Sequence, residues 1–206
     1  MNNPAQSIYE TLKKCIDDYN FASLVVSGGS SPIKIFSDLS KTDLDWAKVS
    51  VMLVDDRVVS SDHLDSNEKL LKDYFFINKA SAANYISLKS NSNTVMKIDR
   101  PFDIMLLGMG EDGHFASLFP QLINITNHFD LSTSPKIIFT DPLGNPCHKR
   151  VSMNLSMIMQ SKKIMLLVSN PVKSGLVDQA LKNKDLPIHF LLNQKVKGIE
   201  IVKTYT

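Results

Sequence analysis

"FDIMLLGMGEDGHFASLFP", residues 102–120, runs from an apolar segment into a glycine-rich turn and stops at a histidine. Residues 102–110 show no regular alternation of polar and apolar positions, so they read as a strand buried on both faces. The same kind of segment recurs along the chain. "ASLVVS" (22–27) ends at Gly28 and Gly29, and "VSVMLVDD" (49–56) ends in carboxylates. "KIIFT" (136–140) and "KIMLLVS" (163–169) are two more, and "GIEIVK" (198–203) suits an edge strand.

Helical stretches separate these strands. Residues 4–19 place Ile8, Leu12, Ile16 and Tyr19 on one face behind Pro4. "SPIKIFSDL" (31–39) reads as a helix opened by Ser and Pro, and "SNEKLLKDYFF" (66–76) as one capped by Ser66 or Asn67. A further helix follows Pro171. Strands that alternate with helices predict a three-layer α/β architecture of modified Rossmann-like kind. Its core is a mostly parallel open sheet with helices on both faces. Ligands in such sheets bind beyond the carboxyl ends of the strands. "SGGSSP", "DDR", "GMGEDGH" and "SNPVK" are therefore expected on one rim, as one site.

The length of 206 residues suits a single domain, 1–206. With 43% hydrophobic and 21% charged residues, the chain can bury a sizeable core. A net charge of +2 does not mark it as a nucleic-acid or membrane binder. Two cysteines, Cys15 and Cys147, make no disulfide framework, and a cytoplasmic location is expected. "MNNPAQSIYE" lacks the regions of a signal peptide, and no apolar run reaches membrane-span length. The one compositionally biased patch is "KSNSNT" (89–94).

Each strand end carries its own chemistry. In Ser27, Gly28, Gly29, Ser30 and Ser31, glycines let the backbone approach a ligand, and hydroxyls and a helix start offer donors to a phosphate. A plain tight turn is the alternative. Arg57 can fork onto a phosphate, or pair with Asp55 or Asp56 in its own loop. His114 follows the turn at Gly110 with Glu111 and Asp112 beside it, where a carboxylate can orient an imidazole that acts as a base. Glu111, Asp112 and His114 lie too close in sequence to wrap a metal and no second His is placed to help, so no metal site is expected and the chemistry is expected to be metal-independent. Ser117 lacks the Gly-x-Ser-x-Gly frame of a nucleophile elbow. Lys173 stands in the first turn of a helix, where a cation opposes the dipole unless an anion is bound; a solvated lysine is the alternative. Arg150, in "HKR", is within possible reach of the rim.

In this order, "SGGSSP" (27–32), "DDRVVSSDHLDSN" (55–67) and "LGMGEDGHFASLFP" (107–120) resemble the 6-phosphogluconolactonase family. The resemblance extends from about residue 4 to the C-terminus. Asp56 stands where that family usually has Glu, Ser60 where it has Pro, and Asn170 where it has Gly. The resemblance implies hydrolysis of 6-phospho-D-glucono-1,5-lactone to 6-phosphogluconate, the second step of the oxidative pentose phosphate pathway. No cofactor is implied, and the only partner is the sugar-phosphate lactone, with the chain a monomer or small homo-oligomer. His114 would activate water and Asp112 would orient it. Ser27 to Ser31, Arg57 and Lys173 would hold the phosphate, and Asp55, Asn67, Gly110 and Arg150 are further candidates for substrate contact. A glucosamine-6-phosphate deaminase shares the phosphate loop and Asp-Gly-His, but "FASLFP" lacks the carboxylate that follows in such deaminases. A non-catalytic sugar-phosphate sensor is the remaining alternative, and it has no need of His114.

Overall fold

A computed structural model of the chain describes residues 3–90 and 100–205. The Ser/Asn-rich patch falls outside the described residues from position 91 onward. Helix α1 (Pro4–Tyr19) is capped by Asn3, whose side chain accepts from the Ala5 N–H at 3.0 Å. Ile8, Leu12 and Ile16 are buried along one stripe of it. Tyr19 does not join that stripe and is 59% exposed. It is the last helical residue, and its ring covers the Arg100 guanidinium and the Lys162 ammonium at 5.1 and 5.0 Å, so cation–π contact takes the place of core burial.

The strands in chain order are β1 (Ala22–Val26), β2 (Val49–Leu53), β3 (Asp55–Arg57), β4 (Asn84–Ile86), β5 (Ile104–Leu107), β6 (Ile137–Leu143), β7 (His148–Met153), β8 (Lys163–Val168) and β9 (Glu200–Lys203). Six form one sheet in the order β4-β2-β1-β5-β8-β9, with every neighbouring pair parallel. Strands β1, β2 and β5 are buried at every position, which requires cover on both faces and explains why their sequences are apolar apart from Ser23 and Ser50. Among the described residues the other α-helices are α2 (Ile33–Leu39), α3 (Asn67–Tyr74), α4 (Thr126–Phe129), α5 (Leu155–Ile158), α6 (Pro171–Ala180) and α7 (Pro187–Leu192). The expected α/β architecture is the one observed.

Several details differ from the sequence expectation. "VSVMLVDD" is two strands. The Val54 N–H still donates to Val26 O at 2.8 Å, and the chain then leaves the parallel sheet. Asp55 and Asp56 cannot lie unpaired among apolar helices. They enter a second, antiparallel sheet of order β3-β7-β6, where polar partners are available. "KIIFT" belongs to this second sheet as well. Its strand carries a half-exposed pattern with Phe139 61% exposed, the mark of a sheet with one solvated face. Helix α2 starts at Ile33, with neither Ser30 nor Ser31 as its cap. Asn170 is extended and caps α6 by accepting from the Lys173 N–H at 2.9 Å. Strand β4, only three residues long, and β7, masked by its charged start, gave no sequence signal.

The chain runs outward from β1 through β2 to β4, then returns to β5 on the other side of β1. The carboxyl ends of β1 and β5 therefore flank the reversal, where open parallel sheets make their ligand crevice. The two turns are tied together: the Ser27 N–H donates to Leu106 O at 2.9 Å, and the Gly108 N–H donates to Ser27 Oγ at 3.0 Å. At the opposite, amino end of the strands, Asp103 precedes β5 and is 1% exposed. It accepts from the Ser23 N–H and hydroxyl at 2.8 and 3.0 Å, from Arg100 at 2.5 Å and from Lys162 at 2.8 Å.

Candidate active site

A cavity of about 210 Å³ opens at the carboxyl ends of β1 and β5. The loop after β1 lines it with Ser27, Gly28, Gly29, Ser30 and Ser31; the small sheet and α3 add Asp55, Arg57 and Asn67. Gly110 and His114 come from the loop after β5, Arg150 from β7 and Lys173 from α6. All four expected strand ends thus meet at one place. Gly108 and Met109, from the "GMGEDGH" strand end, and Ala116 also line it. Asp112 does not line the cavity and stands behind His114.

Two glycines are required by close approach. A Cβ on Gly28 would lie 2.1 Å from the Asn67 amide oxygen, and one on Gly110 would lie 2.2 Å from the His114 ring. Asn67 is itself held, because its Nδ2 donates to Asp55 O at 3.0 Å and its Oδ1 accepts from Arg57 Nη1 at 3.2 Å. The first glycine loop is therefore pressed onto the residue that positions Arg57.

Arg57 and Arg150 are directly opposite each other across β3 and β7. Like charges in that position repel. Arg57 donates to Asp65 O at 2.7 Å, and its Nε–H is buried with no partner among the described residues. Arg150 is 3% exposed, donates to the carbonyls of Leu143 and Pro146 at 3.1 and 2.7 Å, and lies over the Phe119 ring at 5.5 Å. Burial, followed by the nearby charge of Arg57, holds the Arg150 pKa below its ordinary value. Among the described residues, neither arginine nor Lys173 forms a side-chain ion pair with a carboxylate. The loop ion pair weighed for Arg57 is not the one the structure makes. Asp56 instead meets Lys89 at 2.8 Å and accepts from the Asn67 N–H at 2.7 Å, so it fixes the start of α3. Asp55 accepts from Ser117 Oγ at 2.6 Å, and burial pushes its pKa up against that bond and the charge of Arg57. Ser117 is fully buried and committed to Asp55, which leaves it no role as a nucleophile.

His114 is fixed from three directions. Its Nδ1 lies 2.5 Å from Asp112 Oδ1, its own N–H donates to that oxygen at 3.1 Å, and its carbonyl accepts from the Gly110 N–H at 2.8 Å. The Phe119 ring lies against the imidazole with centroids 4.4 Å apart. Burial acts to raise the Asp112 pKa, but the hydrogen bond and charge of His114 outweigh it and hold the carboxyl below its usual range. A carboxylate on Nδ1 sets the tautomer with its proton there and leaves Nε2 as the basic nitrogen. Phe119 and the Asp65 carbonyl were not recognised as parts of the site. "FASLFP" names the ring but not its contact, and a backbone carbonyl has no sequence signature.

The family of glucosamine-6-phosphate isomerases/6-phosphogluconolactonase matches residues 1–199. The 6-phosphogluconolactonase of Neisseria meningitidis is 35% identical over 205 residues, covering 93% of this chain and 88% of that protein. The 6-phosphogluconolactonase of Pseudomonas putida is 35% identical over 194 residues, covering 88% of this chain and 79% of its own. Among solved structures, a 6-phosphogluconolactonase from Shewanella baltica superposes with a TM-score of 0.87 at 32% identity, covering 97% of this chain and 90% of that one. The chain belongs to this family.

Proposed function

We propose that this member of the family, as one lactonase domain, hydrolyses 6-phospho-D-glucono-1,5-lactone to 6-phospho-D-gluconate, with His114 as the general base. One observation carries this reading. A carboxylate-oriented imidazole and three cations without carboxylate partners among the described residues line the same cavity. The cations suit a phosphate dianion, the imidazole suits proton transfer, and the substrate named for the relatives supplies a phosphate at one end and an ester carbonyl at the other.

In this mechanism the phosphate is held by the loop from Ser27 to Ser31, by Arg57 and by Lys173, with Arg150 adding positive potential. The lactone ring then lies over His114. Nε2 takes a proton from a water molecule, and the water oxygen bonds to the carbonyl carbon. The carbonyl oxygen becomes an oxyanion, stabilised by backbone N–H groups of the glycine loops. The intermediate collapses, the bond from the carbonyl carbon to the ring oxygen breaks, and His114 returns its proton to that oxygen. Asp112 stabilises the transient imidazolium. A lactone is an activated ester, so positioning and acid–base help are sufficient.

The test is a lactonase assay on freshly prepared 6-phosphogluconolactone with the spontaneous rate subtracted. Turnover in the wild type that vanishes in folded His114→Ala supports the reading. No turnover above background in the wild type sinks it and favours a sensor.

A further inference from the structure

We propose that His63, Asp65 and His148 form a site for one divalent transition-metal ion of the zinc type. His63 and Asp65 lie in the segment between β3 and α3, and His148 opens β7. His148 Nε2 is 2.8 Å from Asp65 Oδ2, and His63 Nδ1 is 3.7 Å from the same oxygen. The three donor atoms lie within 4.8 Å of one another, and the imidazoles meet edge to face at 5.6 Å. Zinc bound tetrahedrally at about 2.0–2.2 Å needs donors roughly 3.3–3.6 Å apart. The two separations from Asp65 fall on either side of that range, so taking up the ion requires the three side chains to readjust.

The donor set selects the class of ion. Two imidazoles and one carboxylate suit zinc, cobalt or nickel, whereas calcium and magnesium demand mostly oxygen. The side chains of His63, Asp65 and His148 are 46%, 35% and 27% exposed, which leaves a path in and a position for water. The backbone N–H of Asp65 donates to His63 Nδ1 at 3.1 Å, so this nitrogen is unprotonated, and a bound ion takes the place of that hydrogen bond. Bound there, the ion would clamp the segment before α3 to β7. Asp65 is also the residue whose carbonyl holds Arg57. The ion would therefore brace a wall of the cavity without touching His114. The site does not depend on the lactonase reading, because none of its three side chains belongs to the cavity.

The experiment uses the whole chain, freed of metal by chelator and dialysis. Zn²⁺ is titrated by calorimetry and Co²⁺ by visible absorption. One ion per chain, with the intense d–d bands of tetrahedral cobalt, is expected. His63→Ala and His148→Ala should each weaken binding beyond the roughly 10- to 100-fold typical of losing a residue that only orients a ligand. Asp65→Asn, which keeps the carbonyl bonded to Arg57, serves as a further variant if either alanine protein fails to fold. His114→Ala and Cys147→Ser should bind as the wild type does; Cys147 is an exposed thiol next to His148 and the obvious competing ligand. Absence of binding in the wild type, unchanged binding in the three ligand variants, or loss of binding in His114→Ala or Cys147→Ser would each overturn the assignment.

Discussion

The two ends of the parallel sheet handle charge in opposite ways. At the amino end, Asp103 is buried among Ser23, Arg100 and Lys162, so each strong acceptor has a donor within the chain. At the carboxyl end, Arg57 and Arg150 face each other and Lys173 stands nearby, with no carboxylate pair among the described residues. A charge satisfied internally serves the fold. A charge left without its counter-ion is tolerable only where water or a ligand can complete it. The contrast separates structural electrostatics from functional electrostatics in one molecule, and mutations at the two ends should have different signatures.

The largest effect is expected at the carboxyl end. His114→Ala should lower kcat by about 100- to 10,000-fold, the usual range for a lost general base, with little change in KM or melting temperature. Steady-state kinetics with a denaturation curve check this, and near wild-type turnover in the folded variant removes His114 from the reaction. Arg57→Ala comes next. It should cost about 2–5 kcal/mol in kcat/KM for the phosphorylated lactone and almost nothing for unphosphorylated gluconolactone. If the ratio of the two kcat/KM values is the same in variant and wild type, the phosphate lies elsewhere.

At the amino end the order of effects should reverse. Asp103→Ala should destabilise the fold by about 2–3 kcal/mol while leaving kcat unchanged. That is less than the roughly 3–5 kcal/mol for breaking a fully buried pair, because Arg100 and Lys162 keep some contact with water. Urea denaturation gives the number, and a matching fall in kcat would blur the distinction between the ends. The smallest effect is on pH dependence. Burial acts to raise the Asp103 pKa, but the hydrogen bonds from Lys162, Arg100 and the Ser23 N–H outweigh it and hold the carboxyl below its ordinary value. A depressed folded pKa gives stability that is present above the ordinary carboxylate value and is lost as pH falls through the folded one. The stability gap between wild type and Asp103→Ala should therefore narrow in that acid window and stay constant above it. A constant gap throughout would mean that Asp103 contributes no ionised pair.

The architecture was legible in the sequence because strands covered on both faces become continuous apolar runs; β1, β5 and β8 show this most plainly. The small sheet was less legible. β3 has only three residues and follows an apolar strand after a single residue, so periodicity cannot separate the two. The residues around the cavity were mostly readable, since glycines at strand ends and a histidine after a turn have few bland explanations when they occur together. Their partners were not readable. Asp65 holds Arg57 through a backbone carbonyl, and Asp55 is matched to a serine 62 positions away. Such contacts depend on tertiary packing that no local pattern encodes.

The contact between Gly28 and Asn67 constrains how this sequence can change. A methyl group at position 28 would meet the amide of Asn67, which cannot swing aside without releasing both Asp55 and Arg57. Neither position is free to drift while the other stays fixed. Accommodating a side chain at 28 takes a smaller residue at 67, and that in turn asks for a new anchor for the guanidinium. Random mutagenesis of this loop should therefore return almost no tolerated single substitutions at 28. Libraries that vary 28 and 67 together are the ones in which a reshaped anion pocket can be found.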